Sequence, residues 1–373
     1  MSTTEQVLDP DALKLFSFNI FSQLSGAVTA GMIHIGDQLG LYRILAATDG
    51  LTSTEIAEAS KLSERWIREW CANQVAARIV SAEYSYGADE PCAHVDENTI
   101  YKLSPEAVAV LANEEHPAFG MGMFHRLPAT FDRLKDLPES FRSGIGFDYD
   151  AHGPDGAVGI ERSFEPWSNA FLIDLVLPTL SGVVEKLKAG ISVVDIGCGA
   201  GSAVLLMAKQ YPNSTFIGID ISEHALARAS EKLIQSGLSN VSFLNARTSS
   251  SPNSASVDFI TTFDCIHDMT QPRQMIEDIY RMLKEDGSWL LVDIKAGNNL
   301  SENVSKNPMA ALMYGISVLS CMASALSDHN GEGLGTLGLP ASLAEDFALQ
   351  SGFTSFRKLD ISHSVNAFYE IKK

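Results

Sequence analysis

Apolar positions recur at helical spacing through most of the first hundred residues, and the spacing predicts helices over 11–30, 32–46, 53–60, 63–76 and 104–112. Within LTSTEIAEASKLSERWIREWCANQVAARIV (51–80), Thr52 or Ser53 stands where a helix cap belongs, with Glu55 in the first turn. Ser63 can cap the next helix after a short break at Lys61–Leu62, which gives helix, turn, helix. Ile79–Tyr84 and Thr99–Leu103 then read as a two-stranded wing, and the polar, turn-rich YGADEPCAHVDEN between them as its tip.

The pattern changes twice more. Residues 112–168 are rich in Gly, Pro and aromatics, too aromatic for a disordered linker. An ordered connector with short helices, partly covering a site, is expected there. From 169 to 373, short apolar runs alternate with helical stretches. An apolar helix (170–187) precedes strands at 192–196, 215–219, 241–244, 257–262 and 288–292, with helices at 203–210, 224–236 and 275–283. The alternation predicts a parallel sheet with helices on both faces. FRKLDIS and VNAFYEIKK look like two antiparallel edge strands closing it.

Charge narrows the function. Of 373 residues, 46 are Asp or Glu and 27 are Lys or Arg, a net charge of −19. That disfavours a polyanionic partner, because nucleic-acid binding relies on neutralising phosphates, and disfavours an anionic membrane surface equally. The start of the chain is acidic where a targeting peptide would be basic. The most apolar stretch, 309–326, is interrupted by Gly315, Ser317, Ser320 and Ser324, so no membrane span is expected. The five cysteines are widely spaced, with no CxxC or HxxxH pair. Neither a disulfide framework nor a metal is expected, and a cytoplasmic setting is.

The strongest chemical signal is VVDIGCGAGSA, 193–203. A buried strand runs into Asp195, then Gly197, Gly199 and Gly201, then a helix. The glycines permit a tight turn and leave room for a ligand against the backbone. Asp220 ends the next strand, where a carboxylate accepts hydrogen bonds from ribose hydroxyls. A dinucleotide fingerprint would need Gly at Ser202, a phosphate loop would need G-K-[ST], and a lone glycine turn could be structural. Asp195 decides between them. An acid there repels pyrophosphate and suits a cationic ligand, and S-adenosylmethionine carries an ammonium and a sulfonium but no phosphate.

With these residues the chain resembles the class I S-adenosylmethionine-dependent methyltransferases, whose D/E-x-G-x-G-x-G pattern Asp195–Gly201 meets. VDFITTFDCIHDM (257–269) and LKEDGSWLLVDI (283–294) are similar to the segments around the family's fourth and fifth strands. GDQLGLYRIL, YKLSPEAVAVL, FRSGIGFDYD and GISVLSCM resemble a bacterial, mycobacterial-type subgroup with an N-terminal winged-helix domain. More distantly, the chain is similar to small-molecule O-methyltransferases whose winged-helix domain dimerises. The resemblance implies a Rossmann-like α/β domain of seven strands (169–373), preceded by a mostly α winged-helix domain (1–111) and the connector (112–168). It implies S-adenosylmethionine as cofactor and S-adenosylhomocysteine as product. The implied cofactor contacts are Asp195, Gly197, Gly199, Gly201, Asp220, Ile221, Asn245, Ala246, Arg247 and Phe263. Arg247 departs from the pattern, since the family usually has Asp there against the adenine; Asn245 or the backbone at Ala246 and Arg247 would take that contact.

Methyl transfer from a sulfonium needs alignment first, and a base only where the acceptor must lose a proton. Ligands bind beyond the carboxyl ends of the strands, which directs attention to Phe263, Asp264, Cys265, His267 and Asp268. His267 is the candidate base; otherwise it is a structural histidine paired with Asp268. Asp264 shapes the pocket or caps a loop. Cys198 and Cys265 read as packing residues. Tyr149, Phe164, Glu165 and Trp167 in the connector are lid or acceptor candidates or packing, with His125 and His152 weaker candidates. Tyr314, Ser317, Cys321 and Met322 would share one helical face, as acceptor contacts or as core.

The helix-turn-helix has two meanings. Up to residue 110 there are 15 acidic against 7 basic residues, and the second helix pairs Glu64 and Glu69 with Arg65 and Arg68. With no basic stripe, dimerisation and scaffolding of the site is the favoured meaning. The expected activity is methyl transfer to a small-molecule O, S or N nucleophile by a homodimer. A cofactor-responsive DNA-binding regulator and a methyltransferase fold with non-methylating chemistry are the alternatives.

Overall fold

The computed structural model describes residues 8–84 and 98–373, and the chain divides into two compact units, Met1–Leu127 and Pro128–Lys373. The expected wing tip lies, but for Asn98, outside the described residues.

The first unit opens with one helix, Pro10–Gln38, where two had been expected on either side of residue 31. Asp9 caps it by accepting from the Asp11 N–H at 2.9 Å. The break falls instead at Gly40, whose φ of +70° suits a residue without Cβ. Leu13, Leu15, Phe16, Phe18, Ile20 and Phe21 on this helix are all exposed.

After the short helix Leu41–Ala46 come Ser53–Ser60 and Glu64–Ala76, the helix-turn-helix. Thr52 and Glu55 form a reciprocal cap: Thr52 N–H donates to Glu55 Oε2 at 2.8 Å and Glu55 N–H to Thr52 Oγ1 at 3.3 Å. Ser63 occupies the cap position of the second helix without a side-chain cap bond. Tyr42, Ile56, Ile67, Trp70 and Cys71 pack beneath the pair. Strands β1 (Ser81–Glu83) and β2 (Ile100–Lys102) pair antiparallel as the wing.

The second unit is a seven-stranded sheet. Its strands are β3 (Ser192–Ile196), β4 (Thr215–Asp220), β5 (Val241–Asn245), β6 (Val257–Phe263), β7 (Leu283–Ile294), β8 (Ser355–Lys358) and β9 (Asn366–Lys372). They stand in the order β5-β4-β3-β6-β7-β9-β8, with β3 to β7 parallel and β9 antiparallel to both neighbours. The sequence had suggested two edge strands at the end; only β8 is an edge, because β9 lies between β7 and β8. Apolar side chains fill both faces, Trp289, Ile196 and Ile260 on one and Phe216, Phe259 and Phe368 on the other.

Two expected helices are broken. The apolar helix over 170–187 is divided: Gly153–Phe171 runs on through irregular turns to Thr179, and Val183–Ala189 is separate. Pro178 lacks the N–H that a continuous helix needs there, and Gly182 turns the chain with φ +73°. In the later insert, Ser320 (φ −146°, ψ −82°) interrupts the face expected to carry Tyr314, Ser317, Cys321 and Met322, giving helices Ala310–Leu319 and Cys321–Ala325. Among the described residues, no helix is long and apolar enough to cross a membrane.

Candidate active site

The strand order reverses at β3: the chain moves outward through β4 and β5, then returns to β6 on the other side. The strands stay paired to Ile196 and Thr262, and the loops that leave them turn to opposite sides there, the place where sheets of this kind have their ligand crevice. The glycine turn after β3 and the Asp264–Asp268 loop after β6 both sit at this end.

Gly197, Gly199 and Gly201 all have positive φ, +69°, +55° and +74°. A Cβ on Gly197 would lie 2.6 Å from the Cys265 Cβ, and one on Gly201 would lie 2.6 Å from the Phe243 ring. A Cβ on Gly199 would meet nothing within 4 Å. The first and third glycines are thus required by packing, while Gly199 borders open space. The turn is pinned on β4, since the Gly197 and Cys198 N–H groups both donate to Ile219 O.

Two carboxylates flank the turn. Asp195 is buried and accepts from Thr261 Oγ1 at 2.6 Å. Burial, aided by the charge of Asp220, raises its pKa to about 7, and the Thr261 bond only partly opposes this. Asp220 accepts from the Gly199 N–H at 2.7 Å and the Ser222 N–H at 2.8 Å. Burial raises its pKa too, against those backbone bonds. A carboxylate has about four lone-pair positions, so Asp220 keeps acceptor capacity beyond these two.

Ile221 is exposed beside it. At the end of β5, the Ala246 N–H donates to Asp220 O, and Asn245 Oδ1 accepts from the Arg247 N–H at 2.8 Å. Asn245 is therefore engaged in its own turn. The Arg247 guanidinium reaches Asp148 at 2.5 Å.

Asp148 belongs to a strap that the sequence did not reveal. The Gly146 and Phe147 N–H groups donate to Leu326 O and Ala323 O at 2.8 and 3.1 Å. Three residues on, Asp150 accepts from the Glu223 N–H at 2.8 Å and from the Ser222 hydroxyl. Residues 146–150 thus link the late insert to the loops after β4 and β5, with Tyr149 between the anchors, its ring edge-on to His152. The helix after the strap is clamped too. Glu161 binds Arg228 and Lys232, and Glu165 accepts from Lys232 Nζ at 2.7 Å, which also donates to Ser202 Oγ. Trp167 packs against Phe171, His363 and Phe368, and Phe164 is half-buried. His125 belongs to the first unit, away from this set in the chain's division.

Across the crevice, Phe263 ends β6 half-buried, and Asp264 follows with φ +49°. Asp264 accepts from the Asn366 side chain, and its N–H donates to Val292 O. Burial and the neighbouring Asp293 raise its pKa to about 7. His267 is buried, and its Nδ1 donates to Asp293 Oδ1 at 2.6 Å. Burial alone would lower the pKa of His267, but Asp293 and Cys321 outweigh it and hold the imidazole well above its ordinary range. Asp293, which the sequence reading did not single out, is thus the partner of His267. An acid in the otherwise apolar run LLVDI was its one signal.

The candidate acceptor residues do not form one surface. Ser317 is buried and accepts from the Thr336 N–H, while the Tyr314 hydroxyl is half-exposed and accepts from Asn303. The Cys321 thiol lies within 4.8 Å of ligand atoms of His267 and Asp268. Burial raises the Cys198 and Cys265 thiols far above the ordinary range, as suits packing residues.

Residues 187–334 match the family model of a methyltransferase domain, and 27–113 match an Rv2258c-like winged HTH domain. A stretch of 53 residues is 49% identical to a tRNA (guanine-N(7)-)-methyltransferase of Geobacillus kaustophilus, covering 14% of this chain and 24% of that protein. The chain spans less than half the length of the curated relatives it matches. In structure, it is similar along its length to human N-acetylserotonin methyltransferase in complex with S-adenosylmethionine (TM-score 0.64, 14% identity, 100% and 99% of the two chains). It is similar also to the mitomycin 7-O-methyltransferase (TM-score 0.65, 16% identity, 98% and 100%). Fold and domain are those of the class I S-adenosylmethionine-dependent methyltransferases. Residues 187–334 are thus a methyltransferase domain and 27–113 a winged HTH domain ahead of it, and the fold of the whole chain is that of solved methyltransferases.

Proposed function

We propose that this protein transfers a methyl group from S-adenosylmethionine to a small-molecule acceptor with a hydroxyl, thiol or amine nucleophile. The carrying observation is that a glycine turn with open space at Gly199, between Asp195 and Asp220, faces a buried His267–Asp293 dyad across one crevice. Asp195 suits the ammonium end of the cofactor and Asp220 the ribose. Ile221, Phe263 and the backbone at Ala246 and Arg247 supply the remaining walls, with Asn245 committed to its own turn. When bound, S-adenosylmethionine supplies an activated methyl group and leaves as S-adenosylhomocysteine.

The chain's own part is alignment and proton handling. Holding donor and acceptor in line is worth roughly 7–11 kcal/mol of a displacement barrier. In its neutral form, favoured as pH rises, His267 takes the acceptor's proton at Nε2, and Asp293 holds the ring and stabilises the imidazolium that forms. Asp264 helps shape the crevice, and Tyr149, on the strap, and Trp167 bound its roof. Tyr314, Ser317 and Cys321 are the acceptor-side candidates.

The division into winged-helix body (1–111), connector (112–168) and catalytic domain (169–373) is part of the same reading. So is a homodimer through the first unit, supported by its exposed apolar helix. The described cysteines are all free thiols, which suits the cytoplasm. Isothermal calorimetry is expected to show micromolar binding of S-adenosylmethionine or S-adenosylhomocysteine, weakened at least tenfold by Asp220→Ala. Absence of binding to the wild type would overturn the proposal.

A further inference from the structure

At the acceptor side of the crevice, ligand atoms of His267, Asp268 and Cys321 all lie within 4.8 Å of one another. The set joins an imidazole nitrogen, a carboxylate oxygen and a thiol sulfur, and no two of the three chemistries repeat. His267 comes from the loop after β6, Cys321 from the first turn of the short helix Cys321–Ala325, so only the fold unites them. Nδ1 of His267 is engaged by Asp293 at 2.6 Å, and the ring's further hydrogen bond to Cys321 falls to Nε2, which therefore points at the group. A carboxylate on the far nitrogen of a histidine is the arrangement that fixes the tautomer and ring orientation of metal-binding histidines.

A second observation points the same way. Asp264 and Asp293 each keep one buried carboxylate oxygen, Oδ2, with no hydrogen-bond partner. Asp264 lies within electrostatic reach of Asp293, His267 and Asp268. These two buried oxygens are unsatisfied acceptors beside the group, and a buried polar atom without a partner is costly unless a bound ion or water engages it.

We propose that His267, Asp268 and Cys321 form a binding site for one thiophilic divalent cation of the zinc class. Sulfur and imidazole donors exclude magnesium and calcium as the fitting ions, since those prefer all-oxygen sets. Three protein ligands leave a fourth tetrahedral position, as in zinc sites that take a water or a substrate atom. Binding releases the thiol proton of Cys321 and occupies Nε2 of His267. The ion and proton abstraction by His267 therefore exclude each other, and the loaded and empty proteins are two functional states of one crevice.

The site is tested with cobalt(II) as the probe, added to the full-length, reduced, metal-free protein under anaerobic conditions. A thiolate-to-cobalt charge-transfer absorption that saturates at one equivalent is expected. Cys321→Ser should abolish that band, and zinc should displace the cobalt. Asp268→Asn should weaken binding at least tenfold, and Asp293→Asn, acting through the ring of His267, roughly 10–100-fold. Calorimetry with S-adenosylhomocysteine on each variant shows that its fold is intact. No charge-transfer band in the wild type, or a band of equal strength in a folded Cys321→Ser variant, overturns the proposal.

Discussion

Asp195 carries a proton affinity near neutrality because the fold removes it from water and sets Asp220 nearby. An ordinary aspartic acid ionises near pH 4, so between that value and about 7 the folded chain keeps a proton that the unfolded chain has lost. Stability falls as pH rises through that window. A cationic ligand draws the proton off, so affinity for S-adenosylmethionine should rise as pH climbs through about 7 and level off above it. Calorimetry from pH 6 to 8.5 tests this; Asp195→Asn should flatten the profile, and an unchanged slope would refute the role. The glycines give a second contrast at this scale. Gly199→Ala places a methyl in open space and costs only the left-handed backbone strain, about 1–2 kcal/mol. It should abolish most cofactor binding with a small loss of Tm. Gly197→Ala drives a Cβ into Cys265 and should lower Tm further, as scanning calorimetry would show. The glycine turn was legible because its residues are contiguous and each answers a local backbone demand. The His267–Asp293 dyad was not. Its members are joined only through the pairing of β6 with β7, and sequence spacing carries no trace of that contact.

Among the elements, the strap at residues 146–150 is tied at both ends, to the late insert and to the loop after β4. Its grip on the cofactor side is mainly Asp150, which acts as an added cap on the helix Glu223–Ser236. The Arg247–Asp148 pair is about half exposed and therefore worth little on its own, roughly 0–1 kcal/mol. Asp150→Ala should cost roughly 1–2 kcal/mol, the usual loss for a removed cap. It should also speed cofactor release, measured by stopped-flow displacement, whereas Arg247→Ala should leave stability nearly unchanged. If both variants match wild type in release rate, the strap does not gate the site. Helix ends were read to within a residue or two where caps are local, as at Thr52 and Ser222. Ser320 carries no breaker signature, so the interruption that brings Cys321 onto its own short helix was invisible to periodicity.

For the whole molecule, the helix Pro10–Gln38 exposes Phe16, Phe18, Ile20 and Phe21 in a protein whose net charge of −19 otherwise keeps it dispersed. Such a face calls for a cover, and the proposed homodimer would supply one symmetrically. Sedimentation should show a dimer, and Phe18→Glu with Phe21→Glu should yield a monomer that still folds around its winged-helix core. The recognition-helix arginines are already engaged, Arg65 with Glu69 at 2.6 Å and Arg68 with Glu64 at 3.3 Å. Both arginines are thus paired within their own helix, beside the acidic excess of the first 110 residues.

The position of β9 bears on how the protein is born. On the ribosome β3 to β7 emerge in an order that lets each find a neighbour, but β8 emerges before the strand that must separate it from β7. Until β9 follows, β7 presents a bare edge lined by Leu290 and Val292, and β8 has no partner at all. The growing chain is therefore most exposed to misassembly between the emergence of β8 and that of β9, and closure of the sheet waits on the strand Asn366–Lys372.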